Sequence, residues 1–179
     1  MLEQDIAIGD YIENNTDDDM INYTREQLVL VIESLHDSKG YKLETLYLAV
    51  RLADRFLAQT MAAGEPKPCL LTLPVTCLII AAKIHEEMSP SVPRMLALMD
   101  DKFQIKLRRR NVLKLEELII RTLDFNLQSV SPITFLERYL RLFGLDDKNN
   151  MPDRQIASLS KQYCKFMQRD VCFLQFKPS

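Results

Sequence analysis

Lys83 carries a positive charge at a position where folding alone does not require one. It ends a run of apolar and small residues near the C-terminal end of a predicted helix, where the helix dipole favours a cation. Glu86 and Glu87 follow at the same end, where the dipole disfavours carboxylates, so we expect other parts of the chain to hold them. Glu116 lies beside the apolar stripe of a later helix and could pair with Lys83. Spacing leaves open whether that pair is a structural salt bridge or a charged contact at the rim of an apolar surface.

Asp54 is a second charge in apolar surroundings. It lies at the edge of an apolar helical stripe, where an unpaired carboxylate is costly. Arg51 and Arg55 are candidate partners on the same helix, and Arg25 could reach Asp54 across a helix pair. A surface pair with Arg51 is the simpler alternative. In every arrangement the role is structural.

Residue types that enzymes commonly need are scarce in this chain. It has no Gly-rich phosphate loop and no G-x-S-x-G motif, and its only histidines are His36 and His85. The segment His85-Glu86-Glu87 lacks the second histidine of a zinc site. We therefore predict a protein that is not an enzyme, with no catalytic residue, metal or cofactor.

Composition favours an intracellular helical protein. Of 179 residues, 47% are hydrophobic and only four are glycine, which is few for a β-rich chain. Basic residues number 23 against 25 acidic ones, so the net charge of −2 gives no general attraction to nucleic acid or anionic lipid. No apolar run is long enough for a membrane span, and the acidic N-terminus is unlike a secretory signal. Four cysteines without a C-x-x-C pair favour reduced thiols in the cytoplasm or nucleus.

Helical periodicity predicts five helices between about residues 24 and 128. Thr24 is predicted to cap the first (about 24–36), and Gly40 to separate it from the second (about 43–60). The third begins at Thr72-Leu73-Pro74 and is apolar on nearly every face, so other helices must surround it. Two more are predicted at about 93–99 and 106–124.

A short and then a long helix are predicted after Ser131 and Pro132, the second at about 154–174. This pair echoes the first two helices, which suggests a second copy of the domain that the chain does not complete.

Five segments, taken in order, resemble the cyclin family. They are Thr24-Arg25-Glu26-Gln27-Leu28, Ala53-Asp54-Arg55-Phe56-Leu57, Ala81-Ala82-Lys83-Ile84-His85-Glu86, Leu115-Glu116-Glu117-Leu118, and Leu123-Asp124-Phe125-Asn126-Leu127 with Pro132. The resemblance is to A/B-like cell-cycle cyclins and implies an all-α fold. A five-helix cyclin box around a central buried helix (24–128) would follow an N-terminal extension (1–23) and precede the start of a second, incomplete box (129–179).

The resemblance also implies a function. The protein would be a regulatory subunit that binds and activates a cyclin-dependent protein kinase by positioning its αC helix, and so controls cell-cycle progression. No membrane or obligate second copy of the chain is expected as a partner. The implied kinase-binding residues are Lys83, Glu116, Glu86 and His85. Arg25 and Asp54 resemble the buried pair that joins the first two helices of the family.

The resemblance is weakest where the family docks substrates with Arg-x-Leu motifs. Thr24, Gln27 and Val31 stand in place of apolar and aromatic residues, and Ser34 replaces the acidic residue that receives the arginine. The remaining candidates for a docking patch are Leu28, Val31, Leu70 and Leu71.

The alternative is a cyclin-fold adaptor in transcription that binds protein or nucleic acid. A basic cluster would suit phosphates, although such clusters are usually solvated helix faces and the net charge agrees with that. The cluster comprises Lys102, Lys106, Arg108, Arg109, Arg110 and Lys114.

Overall fold

A computed structural model describes the backbone of residues 18–63, 71–145 and 150–169, with side chains from Arg25 onward. Seven α-helices and no strand occupy these described residues, which confirms the all-α fold class. The helices are α1 (Asp18–Lys39), α2 (Leu43–Ala62), α3 (Leu73–His85), α4 (Val92–Phe103), α5 (Arg109–Thr122), α6 (Pro132–Leu142) and α7 (Met151–Met167). Tertiary contacts divide the chain between Ser129 and Val130 into two compact units.

The first unit is organised around α3, the central buried helix that the sequence predicted. All ten residues from Leu73 to Ala82 are buried, and α3 packs against α1, α2, α4 and α5. Pro74 lies in its first turn, where the missing N–H costs nothing. The carbonyl of Thr72 accepts hydrogen bonds from the backbone and the hydroxyl of Thr76, while the Thr72 side chain does not cap the helix. The apolar circumference of α3 is therefore satisfied by neighbours on every side.

The first helix begins earlier than the sequence predicted. Thr24 lies inside α1, which already starts at Asp18, so its predicted capping role is wrong. Asp18 and Asp19 fall in the first turn, where the helix dipole favours negative charge, so the acidic stretch opens the helix instead of preceding it. Gly40 ends α1 as predicted, in the left-handed conformation at φ +62°.

Other helix ends also differ from the predicted ones. The fourth helix was predicted to end at about residue 99 but continues to Phe103. It ends there because Gln104 adopts the left-handed conformation (φ 57°). The fifth starts only at Arg109, after an irregular connection. Within the second unit, α6 and α7 pack against each other, and α7 starts at Met151 instead of about 154.

Candidate functional site

Lys83 and Glu116 form an ion pair that links the last turn of α3 to the middle of α5. The Lys83 Nζ lies 2.5 Å from the Glu116 Oε1. The Lys83 side chain is 40% exposed, whereas that of Glu116 is 12% exposed. An ammonium has three N–H donors, and this contact takes one of them. The nearly buried Glu116 carboxylate therefore holds the Lys83 ammonium in place at the surface.

Two exposed apolar side chains lie close to Lys83 in the sequence. Ile84 follows Lys83 directly and is 38% exposed, and Met88 lies just beyond the helix with 84% exposure. Val112 and Ile119, one turn before and after Glu116, are fully buried. The ion pair therefore lies at the edge of the buried core, with the exposed side chain of Ile84 next to Lys83 in the sequence.

Phe125 is an exposed aromatic residue that the sequence reasoning did not single out as a site residue. It follows the C-terminal end of α5, is 74% exposed, and has φ 57°; Asp124 before it has φ 50°. Two consecutive non-glycine residues in the left-handed region are strained, and an aromatic residue there is uncommon. The sequence did hold a signal for this residue: Phe125 is an apolar residue between Asp124 and Asn126, and it does not belong to the apolar stripe of a helix.

Glu86 is held within the chain. One of its carboxylate oxygens accepts hydrogen bonds from the backbone N–H of Lys42, at 2.9 Å, and from the hydroxyl of Thr45. Lys42 is the N-cap residue of α2, so this carboxylate lies at the positive end of that helix. Burial raises the pKa of Tyr41, and the nearby charge of Glu86 raises it further. Glu86, which was predicted to contact the kinase, therefore binds the start of α2 in the same chain.

His85 is the exposed last residue of α3. Its backbone carbonyl accepts a hydrogen bond of 3.4 Å from the Lys42 ammonium. The ends of α2 and α3 thus cap each other, since Lys42 supplies a cation to the C-terminal end of α3 while Glu86 supplies an anion to the N-terminal end of α2.

The structure pairs Asp54 with Arg25. The guanidinium donates from Nε to Oδ1 at 2.9 Å and from Nη2 to Oδ2 at 3.0 Å, and both residues are 5% exposed. Arg51, the alternative partner, also interacts with the carboxylate. Burial lowers the pKa of the Arg51 guanidinium, and the negative charge of Asp54 opposes that shift. The pair joins α1 to α2 inside the core.

The candidate docking residues on α1 are largely unavailable. Leu28 is 4% exposed and belongs to the core, and Val31 is half-buried against it. Leu71 is exposed, and Leu70 lies outside the described residues. The ammonium of Lys102 donates hydrogen bonds to the carbonyl and hydroxyl of Ser34, at 3.2 and 3.1 Å. A cation therefore lies against Ser34, the residue that replaces the arginine-receiving acidic residue of the family.

The basic cluster lies at the end of α4, in the following connection and in the first two turns of α5. All six of its side chains are exposed. Within the part of the chain that the structure describes, no group of three or more His, Cys, Asp or Glu side chains could hold a metal ion. Cys77 is a buried thiol and Cys164 is half-buried, whereas Cys69 and Cys172 lie outside the described residues. No helix among those described is both long and apolar enough to cross a membrane.

A helical bundle around a buried central helix is the architecture that the sequence resemblance implied. A family model described as "Cyclin, N-terminal domain" matches residues 3–128, which is more than half of the chain. The chain belongs to the cyclin family.

Individual cyclins are similar over most of the chain. Cyclin-A2-1 of Oryza sativa subsp. japonica is 32% identical over 144 residues, which cover 79% of this chain and 28% of that protein. The G2/mitotic-specific cyclin-A of Hydra viridissima is 35% identical over 150 residues, covering 78% and 33%. The G2/mitotic-specific cyclin-2 of Saccharomyces cerevisiae is 30% identical over 159 residues, covering 89% and 30%. The chain thus spans about a third or less of the length of these relatives.

Proposed function

We propose that this chain binds and activates a cyclin-dependent protein kinase and thereby regulates cell-cycle progression. The observation that carries the proposal is the Lys83–Glu116 ion pair, which holds the partly exposed Lys83 ammonium beside the exposed side chain of Ile84. Membership of the cyclin family and the G2/mitotic-specific names of two relatives support it.

The mechanism follows from what a protein kinase needs. Its αC glutamate must pair with the lysine of strand β3, and the position of αC controls that pairing. A rigid partner surface can hold αC inward without performing chemistry. Here the rigid elements are α3, surrounded by four helices, and α5, which packs on it. Lys83 and Glu116 would hydrogen-bond kinase backbone groups, while Ile84 and Phe125 would bury apolar area against the kinase.

The proposal does not include recruitment of Arg-x-Leu substrates on α1. Leu28 is buried, and the Lys102 ammonium at Ser34 would repel a substrate arginine. Substrate selection would then depend on the kinase or on other parts of the protein.

The test is a charge reversal at the ion pair. Lys83→Glu places two carboxylates together at the surface and removes the donor, so kinase affinity should fall by about 30-fold or more. Binding and stimulated activity are measured against a panel of purified cyclin-dependent kinases. Lys106→Glu makes the same charge change at an exposed lysine and should bind normally. Full binding by Lys83→Glu, with folding intact, would overturn the proposal.

A second candidate is the transcription adaptor, favoured by the exposure of all six side chains of the basic cluster. In that case the chain would shift the mobility of duplex DNA in a salt-sensitive way, and Lys106→Glu would weaken the shift while Lys83→Glu would not. The two variants therefore separate the two functions.

A further inference from the structure

We infer that Glu86 is a positioning residue: it fastens the end of α3 to the start of α2, and so fixes Lys83, without contacting the kinase itself. The inference rests on the proposed function for Lys83. It differs from the assignment of Glu86 as a kinase contact, which its place beside Lys83 in the sequence suggested.

The contacts that carry the inference form a junction between residues 42–45 and residues 85–86. Glu86 accepts from the Lys42 N–H at 2.9 Å and from the Thr45 hydroxyl, and the Lys42 ammonium donates to the His85 carbonyl. Thr45 is fully buried, so the anchor of this junction belongs to the core. His36, 4% exposed, also holds this segment through its Nε2, 3.0 Å from the Lys42 carbonyl.

Lys83 needs such an anchor because it lies at the end of its helix. The terminal turn of a helix lacks some of its backbone hydrogen bonds and frays unless other groups supply them. Lys83 lies three residues before Glu86, within the last turn of α3. The two helix ends meet with complementary charges, and the dipole of each helix strengthens the contact. The two hydrogen bonds that Glu86 Oε1 accepts hold its carboxylate against the start of α2.

The first experiment compares Glu86→Ala with Glu86→Gln. Alanine removes both accepted hydrogen bonds, and we expect kinase affinity to fall by about tenfold. The glutamine amide oxygen can still accept both, so most of the affinity should return. Glu87→Ala is the matched control, an exposed neighbouring glutamate whose loss should leave affinity within twofold. An affinity equal to wild type in Glu86→Ala would overturn the inference.

The second experiment separates positioning from direct contact through a double-mutant cycle. If Glu86 acts through Lys83, then adding Glu86→Ala to Lys83→Ala should change kinase affinity by less than twofold. Additive losses would show that Glu86 contacts the kinase independently and would overturn the inference.

Amide hydrogen exchange gives a readout that needs no kinase. In Glu86→Ala the amides of Lys42 and of the last turn of α3 should exchange about tenfold faster, and in Glu87→Ala they should not change. Thr45→Val removes one of the two donors to Glu86 with little change of shape, so the same amides should exchange faster by a smaller factor. This variant replaces Glu86→Ala in the experiment if Glu86→Ala folds poorly. Unchanged exchange would overturn the junction. Normal kinase binding by Lys83→Ala, with faster exchange in Glu86→Ala, would instead overturn the proposed function and leave the junction standing.

Discussion

Arg25 donates two hydrogen bonds of 2.9 and 3.0 Å to the carboxylate of Asp54, although the two residues lie 29 positions apart in the chain. Both groups are buried, so each neutralises a charge that water cannot reach. Such a pair adds little compared with apolar side chains of the same volume, but losing one partner leaves the other charge stranded. The pair therefore specifies how α1 lies on α2.

Arg25→Ala should lower the free energy of unfolding by about 3–5 kcal/mol, because it removes both hydrogen bonds that Arg25 donates to the buried Asp54 carboxylate. Urea denaturation measures the change. Adding Asp54→Ala should recover part of the loss, since the stranded charge is then gone. Arg121→Ala is the control: its pair with Glu117 is exposed, and losing it should cost less than about 1 kcal/mol. A similarly small loss in Arg25→Ala would contradict the structural role of the pair.

Phe125→Gly should raise the stability of the fold while it lowers kinase affinity. Glycine relieves the left-handed strain at φ 57°, so the free energy of unfolding should rise by about 1 kcal/mol. Kinase affinity should fall about 10-fold or more, because a phenylalanine that becomes buried against the kinase contributes about 1.5–3 kcal/mol to binding.

The matched control for Phe125 is Phe143, which is equally exposed at 74% and follows α6. Phe143→Ala should leave kinase affinity unchanged. Equal losses in the two variants would mean that Phe125 has no specific place in the kinase contact.

Cys77 should make the fold sensitive to alkali. Burial raises the pKa of its thiol above the ordinary 9.0, and the charge of Asp54 raises it further. Above pH 9 the unfolded chain loses this proton while the folded chain keeps it, so stability falls as pH rises, by about 1.4 kcal/mol per pH unit. Cys77→Ala should remove that slope from urea midpoints measured between pH 8 and 10.5, and Cys164→Ala should retain it. An unchanged slope in Cys77→Ala would contradict the prediction.

Gly40→Ala should cost about 1 kcal/mol, because alanine must adopt the left-handed conformation at φ +62° that ends α1. A methyl group there would meet no atom within 4 Å, so the cost is conformational and not steric. Gly40→Asn should lose less, since asparagine tolerates this region. Urea denaturation of the two variants gives the comparison, and an unchanged midpoint in Gly40→Ala would refute the role.

The helical architecture could be predicted because its signals are local. The apolar circumference of α3 requires surrounding helices, and Gly40 supplies the conformation that a helix end needs. The start of α1 was predicted too late because Thr24 is a residue type that caps helices, whereas the acidic Asp18 and Asp19 also suit a first helical turn.

The sequence by itself determined which charges needed an explanation: Asp54 in an apolar stripe, and Lys83 at the end of a buried helix. Periodicity did not choose among the candidate partners of these charges, since it describes one helix at a time. The crossing of α1 over α2 selects Arg25 for Asp54, and the packing of α5 on α3 brings Glu116 to Lys83 across 33 residues. The tertiary structure also directed Glu86 to the N-terminus of α2, because a carboxylate is most stable where a helix dipole and unpaired N–H groups meet it.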